Sequence, residues 1–228
     1  MQPCTGGPGS ALGGTYAVPV IDLRRRILEA ALAIADEGGL PAVTMRAVAQ
    51  RVGVSPMALY PHVAGKEALL DGMVDVLLAE LPPLVDALPP HADWWSRLSA
   101  LARGFRALAT RHPSVFALLL SRPSVTPEAV RATDVVYEAV LEAGVAEADA
   151  PRIERLISTF VIGFAASEVN GRFSRGTLDP RSRRAQLAPT EAPGHYRLAA
   201  HLDRPIDWDA EFEADLDDLR AIIELDRH

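Results

Sequence analysis

The sequence predicts an all-α protein: a small N-terminal helix–turn–helix domain followed by a larger helical domain. Three observations carry this. Apolar residues recur at three- and four-residue spacing along most of the chain, which is the period of one helix face. Alternating apolar–polar runs of the strand kind are almost absent. Between residues 44 and 66, two short apolar-faced segments are joined by a turn at Gly53, the layout of a helix–turn–helix.

The residue balance bounds the function. The chain has 228 residues, 49% hydrophobic and 23% charged, enough for a sizeable buried core. Its longest fully apolar stretches, 115–120 and 160–166, fall well short of the ~20 residues that span a bilayer. No charged segment followed by an apolar run opens the chain. The single cysteine, Cys4, leaves no intramolecular disulfide and no cysteine-based zinc cluster. The expectation is a soluble cytoplasmic protein with no membrane partner, no metal and no cofactor. The net charge of −7 argues against a protein that coats nucleic acid with its whole surface. That charge is uneven: residues 1–66 carry +2 and the remainder −9. A mildly basic head on an acidic body is compatible with DNA binding at one end.

The elements follow in order. Residues 1–20 are rich in Gly, Pro and small side chains and read as a disordered tail. Their Gly6–Gly14 stretch has no preceding strand and no closing Lys-Ser/Thr, so it is no phosphate loop. From residue 22, Leu23, Ile27, Ala30, Ala31 and Ile34 form one apolar stripe that Gly38-Gly39 stops. Thr44 is a good N-cap for a second helix, with Met45, Val48, Ala49 and Val52 inward. Ser55-Pro56 starts a third helix. Pro61 lacks an amide hydrogen and limits that helix to one or two turns. A fourth helix starts near Gly65-Lys66 and is expected to run to Leu81, where Pro82-Pro83 stops it. Further helices are expected at 93–111, 114–121, 127–143, 151–170, 194–202 and 208–225. Residues 171–193 read as a long loop.

Within the motif, Val48, Val52, Val54 and Leu59 are apolar toward the core. Arg46, Met57, Ala58, Tyr60, His62 and Lys66 are left for an outward face. Such a face suits a DNA major groove, but spacing alone leaves a plain helical hairpin equally open. A helical protein–protein adaptor and a small-molecule enzyme are the other classes to weigh. No nucleophile elbow, HExxH motif, P-loop or Rossmann fingerprint is present. His195 and His201 are six residues apart, which does not bring them onto one helix face.

The segment 23–80 resembles the DNA-binding domain of the tetracycline-repressor (TetR) family. The resemblance rests on the helix-1 stripe ending at Gly38-Gly39-Leu40, on Thr44-Met45-Arg46, Ala49 and Gly53-Val54-Ser55, and on Leu59-Tyr60-Pro61-His62-Val63 and Lys66-Glu67-Ala68-Leu69-Leu70. Trp94, Phe105-Arg106, Ser121-Arg122-Pro123, the 160–168 helix and the 193–202 block are similar in order and spacing to the regulatory domain of the family's tetracycline-binding members. The resemblance implies a ligand-responsive transcriptional regulator, a repressor released from double-stranded operator DNA by a small-molecule effector. It divides the chain into a tail (1–20), a DNA-binding domain (21–66) and an effector-binding and dimerisation domain (67–228).

Position by position, the resemblance implies a phosphate contact at Thr44 and a base-reading role for Arg46. It places Pro56, Met57 and Ala58 at base-facing positions. None of these three can make a bidentate hydrogen bond, so they are limited to thymine methyls or DNA shape. Tyr60, His62 and Lys66 match phosphate-contacting positions. Ile153, Leu156, Ile157, Phe160, Val161 and Phe164 form a stripe on the 151–170 helix. Phe212, Leu216, Leu219 and Ile223 form another on the 208–225 helix. Two such helices per subunit can build a homodimer interface, or simply an internal core. Candidate effector contacts are Trp95, Phe105, Phe116, Tyr137, Phe160 and Phe164. Tetracycline-binding members carry a histidine in the segment after Val115 and another at the end of the fourth helix. Here those segments read 115–120 VFALLL and 81–83 LPP. An apolar or aromatic effector fits this chain better.

Overall fold

The computed structural model describes residues 20–122, 126–172 and 179–226. The tail expected at 1–20 lies outside these residues except for Val20, as do Pro123 and part of the 171–193 loop. No β-strand occurs among the described residues.

α1 (Val20–Gly38) and α2 (Met45–Val52) lead into a single 3-10 turn, Pro56–Leu59, and then α3 (Lys66–Leu78). α1 buries Ile27, Ala31, Ile34 and Ala35 against α2 and α3. Thr44 caps α2: its hydroxyl oxygen accepts the Ala47 N–H at 3.1 Å. Gly53 ends α2 at φ +83°, a conformation that favours glycine, and its N–H donates to the Ala49 carbonyl. Ser55 caps the next turn by accepting the Ala58 N–H at 3.3 Å. The helix expected from Ser55-Pro56 is therefore one 3-10 turn, because Pro61 follows so closely. Gly72 allows α1 and α3 to touch, since a Cβ there would lie 2.6 Å from a Leu28 methyl.

α3 ends at Leu78, three residues before the expected stop. Pro82-Pro83 does not terminate it but opens α4 (Pro82–Asp86). Proline needs no N–H in a first turn, so a pair expected to stop one helix opens the next instead. The body continues with α5 (Trp94–Arg111), α6 (Pro113–Phe116), a 3-10 turn at Ala117–Leu120, α7 (Pro127–Glu142) and α8 (Ala150–Val169). α5 packs on α7 and α8 at the centre of the body. In the stretch expected to be loop, a short α9 (Pro180–Arg184) forms, capped by Asp179. The expected 194–202 helix is two pieces, α10 (Pro193–Arg197) and α11 (Ala199–Leu202). α12 (Trp208–Leu225) closes the described chain. No helix among the described residues is long and apolar enough to cross a membrane.

Candidate nucleic-acid interface and ligand domain

The outward surface of the helix–turn–helix has an unusual mixture of side chains. Met57 is 74% exposed and Tyr60 48% exposed, while Leu59 between them is fully buried. Pro56 is exposed and Ala58 half-buried. The proline-initiated turn thus drives Leu59 into the core and leaves its neighbours outside. Arg46 projects from the first turn of α2, and Lys66, the chain's only lysine, opens α3; both are exposed. Neither forms an ion pair among the described residues. Their neighbours differ. Arg51 pairs with Glu37 at 2.5 Å, and Arg25 pairs with Glu29 at 2.7 Å. The Arg51 hydrogen bond lowers the Glu37 pKa below the usual carboxylate range. The head's cations thus divide into some held by carboxylates within the fold and some without an ion pair among the described residues.

Thr44 is exposed and spends its oxygen lone pair on the Ala47 N–H. Its hydroxyl hydrogen stays available to an outside acceptor. The unbonded N–H groups of the α2 first turn add partial positive charge beside it. His62 is half-buried and, with Pro61, lines an open cavity.

In the body, Phe160 and Phe164 meet Phe212 of α12, with ring centroids 6.4 and 4.9 Å away. Trp208 adds an edge contact to Phe164 at 6.5 Å. Arg106 of α5 lies 5.0 Å above the Phe212 ring and grips Glu168 with two hydrogen bonds of 2.7 and 2.6 Å. It also reaches Asp209 at 2.7 Å. Its pKa is raised, chiefly by the Glu168 hydrogen bonds. This tie between α5, α8 and α12 borders an open cavity of about 620 Å³. Sequence reasoning named Phe160 and Phe164 but missed Arg106 and Trp208. A cation between two aromatic stripes was the available signal.

The other effector candidates lie apart. Trp95 packs edge-on against Trp94 at 5.6 Å, beneath Arg220. Phe116 is fully buried, and Phe105 and Tyr137 are partly buried against the core. None of the six lines either of two open cavities, the one beside Arg106 or a larger one below the head. The α12 stripe of Phe212, Leu216, Leu219 and Ile223 is buried within its own chain. On α8 and α12, the exposed large apolar residues are Leu156, Ile222 and Leu225, at 40, 45 and 84% exposure.

Comparison with known proteins agrees with this geometry. Residues 27–73 match the bacterial regulatory proteins of the tetR family. Residues 87–219, more than half the chain, match the tetracyclin repressor-like C-terminal domain.

The chain belongs to the TetR family.

Proteins of this family are transcriptional regulators and not enzymes; they bind operator DNA, dimerise and respond to small-molecule ligands. One relative of this TetR-family chain is the HTH-type transcriptional repressor DrrR1 of Streptomyces coeruleorubidus. The two are 33% identical over 183 residues, 78% of this chain and 67% of that protein. The class A tetracycline repressor from transposon 1721 of Escherichia coli is 32% identical over 169 residues, 72% and 74% of the two chains. Among solved structures, the Streptomyces coelicolor TetR family protein ActR in complex with actinorhodin superposes with a TM-score of 0.72 at 25% identity. It covers 88% of this chain and 95% of its own.

Proposed function

We propose that this TetR-family regulator is a homodimeric repressor that contacts its operator through the 21–66 head and leaves it when a small apolar or aromatic molecule enters the 67–228 domain. The observation that carries the DNA half is the exposed Met57–Tyr60 surface flanked by Arg46 and Lys66, two cations that form no ion pair among the described residues. An apolar ridge between unpaired cations is expensive to leave in water and complementary to a groove between phosphates. Thr44, Tyr60, His62 and Lys66 are assigned to the backbone and Arg46 to a base edge. Pro56, Met57 and Ala58 sense methyls and groove shape. The operator acts as a two-fold site, with half-sites one duplex turn apart, ~34–36 Å. The protein works in the cytoplasm, where that DNA is.

The ligand half is supported by the aromatic group around Phe160, Phe164 and Phe212 and by relatives whose names or complexes include tetracycline and actinorhodin. The lack of histidine at 115–120 and 81–83 disfavours tetracycline itself. The test is a gel shift with the DNA upstream of the chain's own gene. A retarded band expected at nanomolar protein, abolished by Arg46→Ala with Lys66→Ala, supports the reading. No shift at physiological salt rejects it.

A further inference from the structure

The larger open cavity, about 960 Å³, lies between head and body rather than within the body. Its walls come from α1, from Pro61-His62 after the groove turn, from α3, and from His112 and Glu128 of the body. That volume suits a small ligand. The floor is apolar, with Leu28, Leu32 and Val76.

The polar side mixes four carboxylates with Arg24, Arg25, His62 and His112. Glu29, Asp75, Glu80 and Glu128 all line it. Glu29 is satisfied by Arg25, Glu80 by Arg111 and Glu128 by Arg131. Asp75 forms no ion pair among the described residues. Thr126 hydrogen-bonds it, yet its Oδ1 is shut off from solvent and has no hydrogen-bond partner. Arg24, across the wall, offers only a distant Coulombic influence. A desolvated carboxylate oxygen without a partner is costly, and the half-buried Asp75 side chain also lines the cavity, where a cationic donor can reach the rest of its carboxylate. An aliphatic floor beside a carboxylate short of a counter-ion is complementary to a cation carried on an apolar body.

We infer that this cavity is a second ligand site, separate from the body's effector site, that takes a flat organic cation whose N–H groups pair with the Asp75 carboxylate while its apolar part rests on Leu28, Leu32 and Val76. The occupant touches α1 and His62 at once, so it sits directly behind the groove-facing surface.

The test uses 2-naphthamidine, an aryl amidinium, and its neutral counterpart 2-naphthamide, titrated calorimetrically into the full chain without DNA. Saturable binding of the amidinium is expected, about tenfold or more tighter than the amide. Asp75→Asn removes the charge at constant size, and Val76→Phe fills the floor without touching Asp75. Each is expected to weaken amidinium binding at least about tenfold. Thermal melting and operator binding without the probe are measured in parallel, which separates a lost site from a lost fold or a wrong DNA assignment. No saturable binding to the wild type overturns the inference. Equal binding of amide and amidinium, or unchanged affinity in either folded variant, does so too.

Discussion

At the scale of single residues, the proposed contacts divide into those that position the head and those that specify the DNA sequence. Lys66 is an exposed point charge at a helix start. Lys66→Ala should weaken binding to all DNA sequences alike and reduce the salt dependence by about one ion. An unchanged slope in salt titrations removes Lys66 from the interface. Arg46 is different, because the guanidinium fork can read guanine and the 56–58 triplet has no competing donor. Arg46→Ala should relax specificity at one base pair per half-site, with a loss of roughly 1–3 kcal/mol against the preferred base. A uniform loss over a randomised operator panel would make Arg46 a phosphate contact. Asp75 yields a stability prediction. Burial raises its pKa, and the Thr126 hydrogen bond only partly offsets this. The folded chain then holds that proton more tightly than the unfolded chain. The associated stability is present below the unfolded pKa of ~3.9 and is lost as pH rises through the elevated folded value. At pH 7, Asp75→Asn should therefore leave the melting temperature equal or higher. A clear drop would mean that the carboxylate is already compensated. These roles were legible in the sequence to different degrees. Thr44, Ser55 and Gly53 announce caps and a left-handed turn through their own chemistry. Asp75 does not, since only the approach of Thr126 and Glu128 from the body makes it unusual.

At the scale of elements, Arg106 ties three helices through Glu168, Asp209 and the faces of Phe164 and Phe212. Arg106 and Glu168 are mostly shielded, whereas Asp209 is open to water. Removing the cation with Arg106→Met keeps much of the packing but strands Glu168. A loss of about 2 kcal/mol is expected, between the value of an exposed pair and that of a fully buried one. The double variant Arg106→Met with Glu168→Gln should recover part of it in denaturant unfolding. Full additivity of the two losses would show that the pair is not coupled. The helices expected at 93–111, 127–143 and 208–225 agree with α5, α7 and α12, and in the fold Asp93, Thr126 and Asp207 cap them. Proline has two meanings at helix ends. Pro82-Pro83 reads as a stop in the sequence but opens α4, and Pro180 reads as loop but opens α9. Local sequence contains both options, and packing against the rest of the chain decides between them. The same holds for the α12 stripe, whose period shows a buried face without showing which chain buries it.

At the scale of the whole molecule, regulation requires that one ligand prefer the shape that cannot hold DNA. A stripe buried in its own subunit leaves Leu156, Ile222 and Leu225 exposed; we propose that they meet the partner subunit, so dimer formation should be sensitive at those positions. Leu156→Glu is expected to yield monomers by sedimentation at micromolar concentration while each subunit stays folded. Operator affinity should fall with it, because one short groove turn makes few base contacts. The ligand adds a second requirement. Moving a dimer from almost wholly binding-competent to almost wholly incompetent takes about 5.5 kcal/mol of differential affinity. Two effector sites can supply about half each. Linkage then demands the reverse effect: operator DNA must weaken effector binding by the same factor by which effector weakens DNA binding. Calorimetric titration of a candidate effector, with and without saturating operator, measures this directly. A binding curve shifted to weaker affinity by operator identifies an inducer. Equal affinity in the two titrations shows that the molecule is not one, however tightly it binds, since a ligand with no preference between two states moves neither.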